Sequence, residues 1–187
     1  MRFKPTTPVT ICLSLFLAVG SAQTIAEPSA QELGTSDGGH YHNILTNVEL
    51  TVPDGWVFKG DGPSSGNGQM AMIASDSGLT VSVWMRPFLV TADDIPVGLH
   101  RLMEDKPSMR PEGWKIRPAS VQNRSLSGHL GLSAVADYVQ DGTPMVEYDF
   151  WVLSGKTHVF FFGQAEEDKL GTLQADIETV AKSALIP

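Results

Sequence analysis

The sequence predicts an α+β domain in which helices pack on an antiparallel sheet. Several short segments of alternating polarity are joined by brief turn signals, which favours antiparallel pairing. One segment in the middle of the chain has apolar residues at helical spacing, and the chain closes with an amphipathic helical pattern. A length of 187 residues predicts one domain. The hydrophobic content of 42% and charged content of 18% exclude a wholly disordered chain.

Charge and cysteine content exclude further classes of protein. The chain has 13 basic and 21 acidic residues, giving a net charge of −8 and a pI near 5.0. A dedicated nucleic-acid-binding protein needs a basic face, so we expect no nucleic-acid partner. The single cysteine, Cys12, excludes a disulfide framework and a multi-cysteine zinc site.

Residues 1–22 have the pattern of a secretory signal peptide. Arg2 and Lys4 precede the apolar stretch Ile11–Val19, and small residues lead to a predicted cleavage site after Ala22. A second candidate site follows Ala26. The alternative is an uncleaved anchor helix, but the apolar stretch is shorter than the roughly 20 residues that span a bilayer.

Cleavage would leave a periplasmic or secreted protein. Cys12 opens the apolar stretch instead of following it, so it should leave with the signal and carry no lipid. We therefore expect neither a membrane span nor a lipid anchor after cleavage. Residues 23–40 are small and polar, which predicts a flexible linker. Residues 41–187 then form the single domain.

The first half of that domain predicts three strands and a helix. Ile44–Val52 alternates in polarity, and Pro53–Gly55 marks a turn. Gln69–Ser75 and Leu79–Arg86 flank a turn signal and predict a hairpin. Asp93–Lys106 has helical spacing and is followed by a proline.

The second half gives the clearest pattern. Trp114–Val121 predicts a weaker strand. Leu132–Val139, Met145–Leu153 and Thr157–Gly163 are extended segments with short connections, which predicts a three-stranded antiparallel meander. Glu166–Leu185 predicts an amphipathic terminal helix.

The segment Val48–Trp56, VELTVPDGW, resembles the opening strand and turn of the PsbP-like superfamily, which includes DcrB-like envelope proteins of bacteria. The later order of elements is similar to that superfamily over Tyr41–Pro187. The resemblance implies an α/β/α sandwich around an antiparallel sheet, ending in the amphipathic helix. It also implies an accessory or binding role, and it brings no shared set of catalytic residues.

His40 and His42 are the best candidate metal ligands. In an extended segment both imidazoles project to the same side, and imidazole suits Cu(II), Ni(II) or Zn(II). Asp37 or Glu49 could add an oxygen ligand. Two histidines do not make a structural zinc site, which has four ligands. We predict no cofactor, with weak binding of a divalent metal as the alternative to a solvated tether.

The candidate ligand or partner surface lies on the predicted sheet. Glu147 and Asp149 alternate along one strand, where paired carboxylates could bind a cation or exchange protons, although a solvent-exposed strand face is the favoured interpretation. Asp137 on the neighbouring strand could join them. Trp84 lies on a polar strand face, which predicts an exposed aromatic or one partly covered by a helix. The full set is Trp84, Asp137, Glu147, Asp149 and Trp151.

The sequence offers only poor catalytic motifs. Gly62–Gly66 matches G-x-S-x-G around Ser64, but no helix-forming segment follows and the chain has no βα repeats. His100, His129 and His158 are scattered, which predicts surface or edge histidines. The sequence therefore favours an exported, non-catalytic binding or interaction module of the bacterial cell envelope, whose partner is an envelope protein or a small molecule. The alternatives are a periplasmic protein that binds a small ligand or metal and, third, a small serine hydrolase.

Overall fold

The computed structural model describes residues 34–37, 39–61, 68–75, 78–104 and 111–187. In chain order, the strands of these residues are β1 (Gly34–Asp37), β2 (His40–Asn43), β3 (Glu49–Thr51), β4 (Trp56–Asp61), β5 (Gln69–Ser75), β6 (Thr80–Pro87), β7 (Lys115–Ile116), β8 (Gln122–Leu126), β9 (His129–Gln140), β10 (Thr143–Leu153), β11 (Thr157–Glu166) and β12 (Ala184–Leu185). Its helices are α1 (Ile95–Glu104) and α2 (Leu170–Lys182). Within this part of the chain, no helix has the length and apolar character needed to cross a membrane.

One large antiparallel sheet carries the fold. Its strand order is β4-β5-β6-β11-β10-β9-β7, and β8 also pairs with β9. The predicted meander is its centre, formed by β9, β10 and β11. The turn between β9 and β10 has Asp141 and Gly142 at φ values of 50° and 81°, the left-handed region that a tight hairpin turn requires. The predicted hairpin is also present, as β5 paired with β6.

The terminal helix α2 packs on one face of this sheet. Its apolar stripe buries Leu173, Ile177, Val180 and Ala181, as the helical spacing predicts. They join a buried cluster with the inward residues of the central strands, among them Val81, Val83, Val146, Tyr148, Phe150, Val152 and Phe161. This layer is almost wholly apolar.

The opposite face is covered by α1, which packs on β9 and β10. Leu99 and Leu102 of α1 are buried there against Leu132, Trp151 and Leu153. Helices therefore lie on both faces of the sheet. The predicted α+β class and α/β/α sandwich are confirmed.

A small second sheet, in the order β1-β2-β3-β12, joins the beginning of the domain to its end. In it Ala184 of β12 pairs with Leu50 of β3. Tyr41 of β2 stacks on Phe58 of β4, with ring centroids 5.4 Å apart, and this contact attaches the small sheet to the large one.

The predicted single strand Ile44–Val52 is wrong, because a turn interrupts it. The Asn43 side chain accepts hydrogen bonds from the backbone N–H (3.0 Å) and hydroxyl (2.8 Å) of Thr46. Asn47 then adopts a φ of 54°, which reverses the chain into β3. A side chain that bonds the backbone two or three residues ahead competes with strand pairing, and alternation of polarity does not reveal it.

Further boundaries differ from the sequence prediction, including those of the terminal helix, whose predicted ends Glu166 and Leu185 lie in β11 and β12. The flexible-linker prediction for residues 23–40 is wrong for Gly34–Asp37 and His40, which are in β1 and β2. Trp114–Val121 contains only the two-residue strand β7 and a short 3₁₀ turn at Pro118–Ser120, because proline cannot donate to a sheet. The predicted signal peptide, Cys12 and residues 23–33 lie outside the described residues.

Gly163 sets how closely α2 approaches the sheet. A methyl group there would lie 2.9 Å from Leu173 Cδ1 and 3.0 Å from the backbone oxygen of Thr80. We predict that Gly163→Ala lowers the free energy of unfolding by about 1–3 kcal/mol, because the helix must move away. Urea denaturation measures this loss.

Gly171→Ala is the matched control, since a methyl group at this exposed position of α2 meets nothing within 4 Å. It should raise the free energy of unfolding by about 0.5–1 kcal/mol through helix propensity. Equal stability of Gly163→Ala and the native protein would contradict the close packing of α2.

Candidate functional site

The predicted surface residues of β10 and β6 lie on the sheet face that α1 covers. The register places Trp151 opposite Phe160 of β11, and Phe160 opposite Trp84 of β6. Asp149 lies opposite Phe162 in the next row. Directly opposed residues share a face, so aromatic and acidic side chains form one layer on the α1 side.

Stacked rings dominate this layer. The rings of Trp151 and Phe160 are 5.2 Å apart and 6° from parallel. The ring centroids of Phe160 and Phe162 are 4.7 Å apart, and the two rings are 14° from parallel. Trp84 packs half-buried at the edge of the same cluster. A Cβ added at Gly68 would collide with its indole, so the chain itself covers part of this ring.

Glu147 and Asp149 are buried in this layer. Glu147 is 3% exposed and Asp149 is fully buried, so the prediction of a solvent-exposed strand face is wrong. Glu147 accepts hydrogen bonds from Trp114 Nε1 at 2.9 Å and from Gln164 Nε2 at 2.7 Å. The alternation correctly predicted that both carboxylates share one face. The residues that bury them are distant in sequence, so the pattern did not predict the burial.

Tyr138 is a polar residue of the same face that the sequence analysis missed. It lies opposite Met145 and is 4% exposed. Its hydroxyl has no hydrogen-bond partner among the described residues. Burial raises the pKa of Tyr138, and the negative charge of Glu147 raises it further, so the phenol keeps its proton. No motif marks such a tyrosine in the sequence.

Asp137 lies on the other face of the sheet, so the predicted group of three carboxylates is wrong. The register sets Asp137 opposite Val146, whereas Glu147 is opposite Ala136. The Asp137 carboxylate accepts from Arg117 Nε at 2.8 and 2.9 Å. This pairing is the main reason that the pKa of Arg117 is raised. The half-exposed pair ties the short 3₁₀ turn after β7 to the sheet.

His40 and His42 lie on β2, and the structure brings Glu49 beside them. His42 is opposite Glu49 in the register, and His40 Nε2 is 3.7 Å from Glu49 Oε2. The side chains of His40 and Glu49 are about half-exposed. Nowhere in the described part of the chain do three His, Cys, Asp or Glu residues form a group arranged to hold a metal ion.

His158 is buried, so the prediction of a surface or edge histidine is wrong for it. It is 4% exposed, and its Nδ1 accepts a hydrogen bond from Arg86 Nε at 3.2 Å. This bond assigns the ring proton to Nε2. Burial, aided by the charge of Arg86, lowers the pKa of His158 to about 3. His100 is exposed on α1, and His129 is half-buried at a strand end, as predicted.

The candidate nucleophile Ser64 and the surrounding Gly62–Gly66 motif lie outside the described residues. The serine-hydrolase alternative therefore stays a prediction.

Two helices on opposite faces of a central antiparallel meander define a PsbP-like α/β/α sandwich, and structural comparison places the chain with this fold. Cyanobacterial PsbP from Synechocystis sp. PCC 6803 matches with a TM-score of 0.55 at 16% identity, over 83% of this chain and 99% of that one. LpqN of Mycobacterium tuberculosis, a protein involved in cell envelope biogenesis, matches with a TM-score of 0.54 at 16% identity, over 82% and 90% of the two chains. The resemblance read from Val48–Trp56 is thereby confirmed for the fold.

No protein-family model matches the sequence, and no curated protein matches it significantly.

The buried imidazole of His158 predicts a specific acid sensitivity. Between pH 6.5 and about 3 the unfolded state binds a proton at this residue and the folded state does not. Stability is therefore lost as the pH falls, by at most about 1.4 kcal/mol per pH unit. His158→Gln removes the titrating group and keeps an acceptor for Arg86.

Urea unfolding of both proteins at pH 7, 6 and 5 measures this effect. The stability advantage of the native protein over His158→Gln should shrink as the pH falls, while carboxylate titrations common to both proteins cancel. A difference that stays constant with pH would contradict a neutral, buried His158.

Proposed function

We propose that this protein is an exported, non-catalytic binding module of the bacterial cell envelope. The observation that carries the proposal is the PsbP-like α/β/α sandwich, a fold shared with LpqN, which is involved in cell envelope biogenesis. The polar side chains of the α1-side layer are consistent with a structural role. Glu147, for example, is bonded to the neutral donors Trp114 and Gln164.

Export is supported by the N-terminal pattern, in which a short basic segment precedes the apolar stretch Ile11–Val19 and small residues. The net charge of −8 fits a protein that stays in solution, because anionic lipid surfaces repel it.

The α1 side of the sheet is the proposed binding side. Here half-buried Trp84 and Phe88 reach the edge of the aromatic layer. Leu89 and Val97, just before and within α1, are 86% and 54% exposed. Aromatic and large apolar groups with little cover are the usual anchors of protein interfaces. The buried residues of the sequence-predicted surface, such as Trp151, would support this region from below.

Native mass spectrometry of the protein purified from its own envelope fraction tests the export step. We expect the mass of a chain that begins at Gln23 or Glu27. This chain should be present in the envelope fraction and absent from the cytoplasmic fraction. Recovery of the full chain from the cytoplasm would overturn the proposal.

In-cell photo-crosslinking tests the binding step. A photo-reactive residue at Val97 should give one discrete adduct with an envelope protein, or the purified protein should carry a small-molecule mass excess. The control position is Thr179, which is exposed on α2 on the opposite side of the sandwich. Equal adducts at both positions, or a bare chain that gives no adduct, would refute a binding side at α1.

Weak binding of a divalent metal is the second candidate function. It is favoured by Glu49 Oε2 lying 3.7 Å from His40 Nε2, with His42 opposite Glu49. Isothermal titration with Cu(II) and Zn(II) should give heat that the His40→Ala/His42→Ala variant lacks. Indistinguishable heats from the two proteins would remove this candidate.

A further inference from the structure

An open cavity of about 550 Å³ lies where the small sheet meets β4, the strand that ends the order of the large sheet. This volume falls in the range of roughly 300–1,000 Å³ that is usual for small-molecule sites. Gly39, just before β2, and Val52, just after β3, line the cavity from the small sheet, and Trp56 and Phe58 line it from β4. The intervening turn Pro53–Gly55 also belongs to the lining.

Backbone hydrogen bonds fix the lining of this cavity. The N–H of Val52 donates to the carbonyl oxygen of Gly39 at 2.6 Å, and the N–H of Trp56 donates to the carbonyl oxygen of Pro53 at 3.0 Å. Gly55 has a φ of 79°. A bond across four residues with a positive φ at the third is typical of a type II turn, which requires glycine there. The turn is therefore held in place by its own backbone.

One side of the cavity is aromatic. Trp56 and Phe58 are two residues apart on β4, so their side chains project from the same face. Both are half-buried and pack against the α2-side core. The Phe58 ring stacks on Tyr41, which is 1% exposed. The buried core thus supports these rings from behind, while part of each side chain stays accessible.

The charge of the cavity is negative. Among the described residues that line it, Asp54 is the only charged one, and it is exposed. The nearest cation along β4, Lys59, does not line the cavity. A single carboxylate is too few ligands for Ca²⁺, which takes six to eight oxygens. Indole, in contrast, is the strongest aromatic partner for a cation. A carboxylate beside aromatic and apolar side chains therefore fits an organic cation better than a metal ion or an anion.

We propose that this cavity binds an organic ammonium ion that carries an apolar or aromatic body. The ammonium charge lies against Asp54 and the Trp56 ring, and the apolar body packs on Val52, Pro53 and Phe58. Binding is non-covalent. The site is separate from the proposed binding side at α1, so this inference goes beyond the proposed function and does not rest on it.

The competing explanation is a water-filled gap between the two sheets, with Asp54 serving only as a turn residue, a role that aspartate commonly has. Under that explanation no organic cation binds saturably at these residues. A titration that follows individual residues distinguishes the two explanations.

The experiment is a ¹⁵N–¹H NMR titration of the full chain with benzyltrimethylammonium. Benzyl alcohol and benzenesulfonate are the neutral and anionic probes with the same ring. We expect saturable shifts at the amides of Gly39 and Gly55 and at the indole N–H of Trp56. The cation should bind about tenfold more tightly than benzyl alcohol, because it gains both a charge pair and a cation–π contact. Benzenesulfonate should cause no saturable shift at these residues.

The variants remove one contact at a time. Asp54→Asn keeps a good turn residue and should weaken binding of the cation about two- to fivefold, the size of an exposed charge pair. It should leave binding of benzyl alcohol unchanged. Trp56→Phe keeps an aromatic ring and should weaken binding of the cation about two- to fivefold. Asp93→Asn is the matched control, because Asp93 is an exposed carboxylate just before α1 that does not line the cavity. Its affinity for the cation should equal that of the native protein.

The proposal fails if the lining residues show no saturable shift with benzyltrimethylammonium, or if the three probes bind equally well. It also fails if Asp54→Asn and Asp93→Asn have the same affinity for the cation. None of these results would alter the crosslinking expected at Val97, so failure of this site and failure of the proposed function are distinguishable.

Discussion

The register of the central meander is the constraint on which the rest of the structure depends. Along β10, Val146, Tyr148 and Val152 face α2, whereas Glu147 and Trp151 face α1. A shift of one residue would exchange the two sets, placing a carboxylate under α2 and removing the apolar surface that this helix needs. The register is fixed by the turn at Asp141 and Gly142 and by the lengths of the two hairpin connections. The register in turn determines which side chains each face of the sheet presents.

The two faces are built differently. The core on the α2 side is largely apolar, and the end of the chain closes it, because β12 follows α2 and joins the small sheet. The α1 side carries the buried carboxylates Glu147 and Asp149 and the buried imidazole of His158, among stacked rings. Burial of polar groups is costly unless they are hydrogen-bonded, so this side must keep a fixed arrangement of donors and acceptors to remain folded. Its shape is consequently more specific than hydrophobic packing alone requires.

Periodicity in the sequence was enough to predict the meander, both helices and the faces of β6, because each is a repeated local pattern. It failed where a single contact decides the structure. The Asn43 side chain turns the chain at Thr46, and the whole strand β8 pairs with β9 although its polar sequence shows little alternation. The burial of Glu147 depends on Trp114, 33 residues away, and no local pattern contains that information. The position of Asp137 was missed for the same reason. Its pairing opposite Val146 of β10 places the carboxylate on the α2 side, and the sequence of β9 does not reveal that register.

A fold that places its buried carboxylates and its buried imidazole on one side also favours that side as the place where function can arise. In the α2 layer, apolar strand residues pack against the apolar stripe of α2. The α1 side contains the groups that packing does not require: carboxylates, a neutral buried imidazole, a tyrosine hydroxyl and stacked rings. Buried polar residues are retained against their cost either because they specify one arrangement or because a ligand uses them. Both explanations apply to the α1 side. Substitutions that distinguish an effect on stability from an effect on binding therefore have to be made there.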